Sequence, residues 1–339
     1  MLSEHKGSAG NQAAEYYIPH PELVDAAEVA VELGMPLLLT GEPGTGKTEC
    51  ARWVGHHFKI PEVYKFVAKS TSVATDLFYT YDALGRFSAS QLAEHVEEER
   101  RRASQPGNFI EYAALGKAIL AAHEASSVGP LLPKNSTRFQ HPGTPQRSVV
   151  LIDEIDKAPR DFPNDLLDEI SNMQFRVREL GDHQTPEIEN TALRPIVVVT
   201  SNSERQLPGP FLRRCAFYNI PFPQSRSESE TEDPQEAYFL EDIVAARLGS
   251  EFGNTPLAKE ALAFFHHLRT GLKPALGKKP ATAELLNWMV ALRNQSANGA
   301  GGLVEQRENA NRAIGLLLKN QHDQERGRDA LRNWSKKNA

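Results

Sequence analysis

The sequence predicts an α/β protein, a five-stranded parallel sheet layered between helices, followed by a small all-helical domain. Three observations lead there. Short apolar runs recur at Pro36–Thr40, Val63–Ala68, Ser148–Asp153, Ile196–Ser201 and Ala216–Ile220, separated by helical or irregular stretches. Strands that read as continuous apolar runs and alternate with helices build buried parallel sheets. Beyond them, Ala237–Leu248, Pro256–Thr270, Thr282–Arg293 and Glu305–Lys319 carry apolar faces at helical spacing with no strand signal between them. Between the two regions, Pro221–Gln235 holds prolines, serines and the acids Glu228, Glu230, Glu232 and Asp233 without apolar periodicity, the composition of a linker.

Composition narrows the functional classes. The chain has 339 residues, enough for about two domains, with net charge −6, 40% hydrophobic and 24% charged residues. That balance is ordinary for a globular protein and speaks against a basic nucleic-acid coat. The two cysteines, Cys50 and Cys215, lie far apart, which excludes a disulfide framework and a cysteine-rich zinc site and makes a reducing, cytoplasmic location the expectation. The longest apolar runs, such as Pro36–Leu39 and Val149–Ile152, fall short of the roughly 20 residues that span a bilayer. Met1–Gln12 is polar and lacks a signal-peptide core.

The individual elements follow in order. Leu23, Ala26, Ala27, Ala30 and Val31 repeat at helical spacing behind Pro21, and Gly34 ends that helix. A second helix is predicted over Lys47–Phe58. Two stretches interrupt the α/β pattern. Thr71–Gln146 is too long for a plain connection; it contains Leu92, Val96, the charged run Glu97–Arg102 and an alanine-rich helical segment, Tyr112–Ala125. Phe175–Arg194 alternates Phe175, Val177 and Leu180 before Gly181-Asp182, which predicts a projecting β-hairpin. Ser296–Gly302 reads as a loop, and Arg326–Ala339 as too polar for the core. The expected organisation is a tail at 1–16, an α/β domain at 17–223 with insertions near 71–146 and 175–194, an acidic linker at 224–236, a helical domain at 237–335 and a tail at 336–339.

Chemistry concentrates at the ends of the predicted strands. Gly41-Glu42-Pro43-Gly44-Thr45-Gly46-Lys47-Thr48 matches G-x-x-x-x-G-K-[ST] between a strand and a helix. There the glycines let backbone N–H groups turn toward phosphate oxygens and the helix N-terminus adds positive charge. Lys47 reaches the terminal phosphates and Thr48 ligates Mg²⁺. A nucleotide hydrolase also needs an acid at the tip of a buried strand. Val149–Ile152 ends in Asp153, the metal-side carboxylate, followed by Glu154, suited to polarise the attacking water. After Val197–Ser201 comes Asn202, a polar amide placed to position that water; a turn cap is the plainer use of an Asn there. Arg213 and Arg214 precede the last strand, where their charge could reach a neighbouring subunit's site; salt-bridged surface arginines are the alternative.

Other features have simpler explanations. His56-His57 and His266-His267 are adjacent pairs that point to different helix faces, poor geometry for a shared metal. Asp165, Asp168 and Glu169 read as a solvated helical face that could also line a subunit contact. Trp288 and Met289 sit among apolar residues and read as packing.

From Tyr17 to about Trp334 these motifs, in this order, resemble the AAA+ ATPases, and more narrowly their MoxR-like, dynein-related branch. The resemblance implies a P-loop AAA+ three-layer α/β/α core and a helical lid. It makes Gly41–Thr48 the phosphate loop, Asp153-Glu154 the Walker B acids, Asn202 sensor 1 and Arg214 the arginine finger with Arg213 in reserve. The insert containing Thr80-Tyr81-Asp82-Ala83-Leu84-Gly85 is similar to a helix-2 insertion, and Phe175–Arg194 to a pre-sensor-1 hairpin. Where the family often presents a sensor-2 arginine, this chain has Lys278-Lys279-Pro280, so Lys279 is the candidate cation or else part of a solvated helix start.

The resemblance further implies ATP with Mg²⁺ as cofactors, and ATP rather than GTP rests on it alone. It implies a ring of copies of this chain, six by expectation, and action on a client protein, in some relatives one with a von Willebrand factor A domain, by remodelling, maturation or metal or cofactor loading. Two other readings share the site: a nucleotide-dependent switch or scaffold without turnover, and a DNA-acting motor, which the net charge disfavours.

Overall fold

The computed structural model describes residues 14–92, 100, 103–132, 139–202, 204–226, 238–296 and 301–338. Most of the N-terminal tail, most of the acidic linker, residues 297–300 of the predicted loop Ser296–Gly302 and all of Glu97–Arg102 except Arg100 lie outside the described residues. The residues fall into two compact units by their internal contacts, Asp25–Thr40 with Ala51–Asn219, and Met1–Val24 with Gly41–Cys50 and Ile220–Ala339.

Strands among the described residues are β1 (Leu37–Gly41), β2 (Val63–Val67), β3 (Tyr79–Tyr81), β4 (Ile110–Tyr112), β5 (Val149–Asp153), β6 (Arg176–Val177), β7 (His183–Gln184), β8 (Ile196–Thr200) and β9 (Ala216–Ile220). Five of them form the predicted parallel sheet of the first unit, in the order β2-β5-β8-β1-β9. β5 and β8 are buried along their whole length, and β1 up to Thr40, which is why they read as unbroken apolar runs. Edge strands β2 and β9 keep exposed positions between partly or fully buried ones. Register pairs Leu39 with Thr200 and Ile152 with Val199. Parallel neighbours end on one edge of the sheet, so Thr40, Asp153 and Thr200 lie along that edge. Thr40 adds a side-chain tie across to β9, its Oγ1 donating to Asn219 Oδ1 at 3.0 Å.

The long insert after β2 is more structured than its sequence suggests. It holds the small antiparallel pair β3 and β4, two strands of three residues, too short to register as a period. The predicted helix is present as Ala114–Ala121, with every residue buried except Lys117. Gly116 makes its close approach possible, since a Cβ there would collide with the Phe78 carbonyl oxygen. The predicted hairpin forms as β6 and β7, turning through Gly181 at φ 76. Burial pushes the thiols of Cys50 and Cys215 up to about 12, so neither is a thiolate nucleophile at neutral pH.

In the second unit the helical region packs around Trp288, Phe264, Phe265, Leu285 and Met289, all fully buried. Helix Pro256–His266 starts as its sequence dictates, with Pro256 in the first turn and the Thr255 hydroxyl accepting from the Ala258 N–H at 3.2 Å. The polar C-terminal stretch departs from expectation. Gln321–Asn338 is one helix, and Leu331 and Ala330 are buried in the same cluster, with Trp334 packed edge-on to Phe264 at 5.9 Å between centroids. Residues 323, 327, 330, 331 and 334 recur at helical spacing, so one narrow face is core although the segment is charged overall. The predicted helix Glu305–Lys319 is two shorter helices, Arg307–Arg312 and Ile314–Leu317. Truncating Trp288 to Ala should cost about 3–5 kcal/mol, read as a fall in denaturation midpoint by chemical unfolding. No described helix is long and apolar enough to cross a membrane.

Candidate active site

The loop Gly41–Thr48 is built by residues of the second unit. Gly44 and Gly46 adopt φ of 81 and 91, left-handed conformations that favour glycine. Space is short at both: a Cβ on Gly44 would stand 2.7 Å from Ala281 Cβ, a collision, and one on Gly46 3.1 Å from the Tyr17 ring, a tight contact. Lys47 is buried. Its Nζ donates to the Gly41 carbonyl at 2.8 Å and the Glu42 carbonyl at 3.0 Å. Thr45 Oγ1 also donates to the Glu42 carbonyl, at 2.9 Å. The carboxylate of Glu42 pairs with Arg269 Nη2 at 2.8 Å. Tyr17 is buried, and burial holds its hydroxyl well above the usual phenol range. Lys279 is exposed in the segment before helix Thr282–Gln295.

The acidic residues belong to the first unit. Asp153 is buried at the end of β5. Its Oδ1 accepts from Thr200 Oγ1 at 2.6 Å, and its Oδ2 pairs with Lys65 Nζ at 2.7 Å. Glu154 leaves the strand in a left-handed conformation, φ 59, rare for a non-glycine residue. Its backbone N–H donates to that same Thr200 oxygen at 2.9 Å. One hydroxyl therefore links the two acids. The half-buried Glu154 carboxylate pairs with Lys157 Nζ at 2.7 Å and raises the pKa of that ammonium through the hydrogen bond. Asp156, also buried, accepts from the backbone N–H groups of Asn202 at 3.3 Å and Glu204 at 3.0 Å, fixing the backbone that carries Asn202.

Arg213 and Arg214 follow the short helix Gly209–Leu212 and are exposed. With Arg194, Met35, Phe211 and Cys215 they line a cavity of about 310 Å³. Arg194 donates from Nη2 to the Ile170 and Ser171 carbonyls at 3.0 and 2.7 Å. Asp165 is exposed and Glu169 half-buried, while the Asp168 side chain lies outside the described set. His57 contacts Glu28 and stacks on Trp53, and His267 packs against Trp334. Among the described residues no group of three or more His, Cys, Asp or Glu gathers to hold a metal.

Residues 36–215 match the AAA domain family, dynein-related subfamily. The chain belongs to this family. AAA domains are ATPases that use ATP with Mg²⁺, and the matched region of this AAA domain runs from the first strand of the sheet to Cys215. Solved structures similar to it include the RuvB Holliday junction branch migration motor of Thermotoga maritima, 12% identical over 93% of this chain and 71% of that one, with a TM-score of 0.40. A provisionally named ATPase of Cytophaga hutchinsonii is 13% identical over 95% of this chain and 83% of that one, with a TM-score of 0.36. No curated protein sequence matches the chain.

Four residues of the AAA domain and its helical extension carry little or no mark in the sequence: Thr200, Lys65, Asp156 and Arg269. Thr200 is the last residue of an otherwise apolar strand, and a hydroxyl in that place is the one available signal. Lys65 and Arg269 carry no motif, because their partners are far away in sequence. Asp156 follows Asp153 at three residues, in a 3₁₀ turn that only the structure reveals.

Proposed function

We propose that this AAA domain is a MoxR-like ATPase that hydrolyses ATP in a ring of its own copies and uses the cycle to remodel, mature or load a metal or cofactor into a client protein. The observation that carries hydrolysis is the Thr200 hydroxyl joining Asp153 to the Glu154 backbone. It holds the Asp153 carboxylate at the strand end and the Glu154 backbone directly beside it, neighbouring places suited to a metal carboxylate and a general base.

The donor set fits Mg²⁺. A threonine hydroxyl, Thr48, and one carboxylate, Asp153, are hard oxygen donors, and Mg²⁺ is usually held by one or two carboxylates with phosphates and water completing its shell. The loop fits a phosphate chain, since Gly44 and Gly46 hold left-handed conformations without side chains and the buried Lys47 ammonium lies against its carbonyls. When bound, Mg–ATP supplies the electrophilic phosphorus and the neutralising charge. The protein's part is positioning. Lys47 exchanges its two loop carbonyls for phosphate oxygens, Glu154 takes a proton from water, Asn202 orients that water, and Arg214, with Arg213 in reserve, places positive charge at a neighbour's site. Lys279 is the lid cation of this reading, and residues 237–335 are its lid. A client with a von Willebrand factor A domain accords with the MoxR-like resemblance.

A second reading, an ATP-dependent switch without turnover, draws on one observation: the Glu154 carboxylate is tied to Lys157, and a base so engaged must be released before it can act. Mass by light scattering, with and without Mg–ATP in a Glu154→Gln background, tests the ring. A nucleotide-dependent rise to several subunits is expected. A monomer under every condition leaves Arg214 without a target and overturns the ring.

A further inference from the structure

We infer that Arg269 is a positioning residue for the phosphate loop, acting through Glu42 rather than on the nucleotide itself. Arg269 lies in the turn His267–Gly271 that follows helix Pro256–His266. Its side chain is only 8% exposed, unusual for an arginine. The guanidinium lies 3.4 Å from the centroid of the Phe222 ring. Nη1 donates to the Pro280 carbonyl at 2.5 Å and Nη2 to Glu42 Oε2 at 2.8 Å. A cation so enclosed is tolerated only with a matched anion and satisfied donors, and Glu42 is that anion.

What Glu42 holds at its other end gives the contact its consequence. The Glu42 carbonyl accepts from Lys47 Nζ and from Thr45 Oγ1, so the residue clamped by Arg269 is also the one around which the loop folds. Pro43 directly after it narrows the backbone choices of residue 42. The second arm of the guanidinium works on the other wall of the loop. By holding the Pro280 carbonyl it fixes the backbone leading into Ala281, and Gly44 packs against Ala281 so closely that any Cβ would collide. Glu284 secures that backbone too, its Oε2 accepting from the Ala281 N–H at 3.2 Å. One planar fork therefore sets both Glu42 and the surface on which Gly44 rests. A lysine has no fork: its compact ammonium cannot hold both acceptors in the fixed plane of a guanidinium or lie flat over the Phe222 ring.

The inference rests on Gly41–Thr48 being the phosphate loop. The test is a double-mutant cycle on binding of a fluorescent ATP analogue with Mg²⁺, using Glu42→Gln, Arg269→Gln and the double variant, with Arg269→Lys alongside and a melting temperature for each. Each single variant is expected to raise Kd about tenfold, equivalent to about 1.4 kcal/mol, and the double to be no weaker than the worse single. Arg269→Lys should recover little of the loss. If Arg269→Gln costs the same factor with Glu42→Gln as without it, Arg269 acts by another route and the inference is overturned. A shift in melting temperature with unchanged Kd overturns it as well, leaving only a structural pair. Should Arg269→Gln fail to fold, Glu42→Gln decides alone, since Glu42 is half exposed, and wild-type affinity in that variant is contrary to the inference. Wild-type protein that binds no analogue overturns the phosphate-loop reading beneath it, an outcome distinct from additive losses in a protein that does bind.

Discussion

Glu154→Gln protein should retain ATP while its steady-state phosphate release falls by about 10²–10⁴-fold, the range for removing a general base. The substitution keeps the shape of the side chain. The backbone N–H that anchors residue 154 to the Thr200 hydroxyl is unaffected, so the left-handed turn at φ 59 stays in place. What goes is the proton acceptor, together with the ion pair to Lys157. Asp153 keeps its contacts with Thr200 and Lys65, so metal-dependent binding persists. Phosphate release and the nucleotide retained after gel filtration check both halves. Equal turnover in the two proteins contradicts the role of Glu154, and a wild type as slow as the variant favours the switch reading.

Lys47→Ala should abolish useful nucleotide binding, with a loss of about 100-fold or more in affinity. Removing one member of a buried, charged, hydrogen-bonded contact costs about 2–5 kcal/mol, and here the lysine serves two states. Without nucleotide its ammonium satisfies the Gly41 and Glu42 carbonyls; with nucleotide it is proposed as the cation nearest the terminal phosphates. The variant therefore loses phosphate charge pairing and also leaves the loop with two carbonyls lacking that donor. Fluorescent-analogue titration measures the first effect. Affinity within about threefold of wild type, well short of the loss expected for such a contact, would mean that Gly41–Thr48 is not where the phosphates bind.

Local signals make most of the sheet and the glycine-rich loop Gly41–Thr48 legible from sequence. Each central strand is a short apolar run, buried over all or nearly all of its length, and the loop's glycines sit in a fixed spacing between strand and helix. What escaped was set by distance in the chain or by scale. Thr200 meets Asp153 across 47 residues and Arg269 meets Glu42 across 227, and no local pattern announces such pairs. Tyr79–Tyr81 and Ile110–Tyr112 are strands too short to show a period. Gln321–Asn338 misled because its charge overall hid one apolar residue every three or four, enough to bury Leu331. The arginine pair Arg213-Arg214 is plain in the sequence, but the role proposed for it depends on a second subunit.

The central claim is ATP hydrolysis shared between neighbouring copies, and mixing two inactive variants tests it most directly. Glu154→Gln lacks the base and Arg214→Ala lacks the trans cation. In a mixed ring, Arg214 of one subunit meets Glu154 of the other at some interfaces, where the site is complete. Phosphate release should therefore be near background for each variant alone and should reappear on mixing, as the particle mass rises with Mg–ATP. A mixture as inactive as its components, at a monomer's mass, would contradict the shared site.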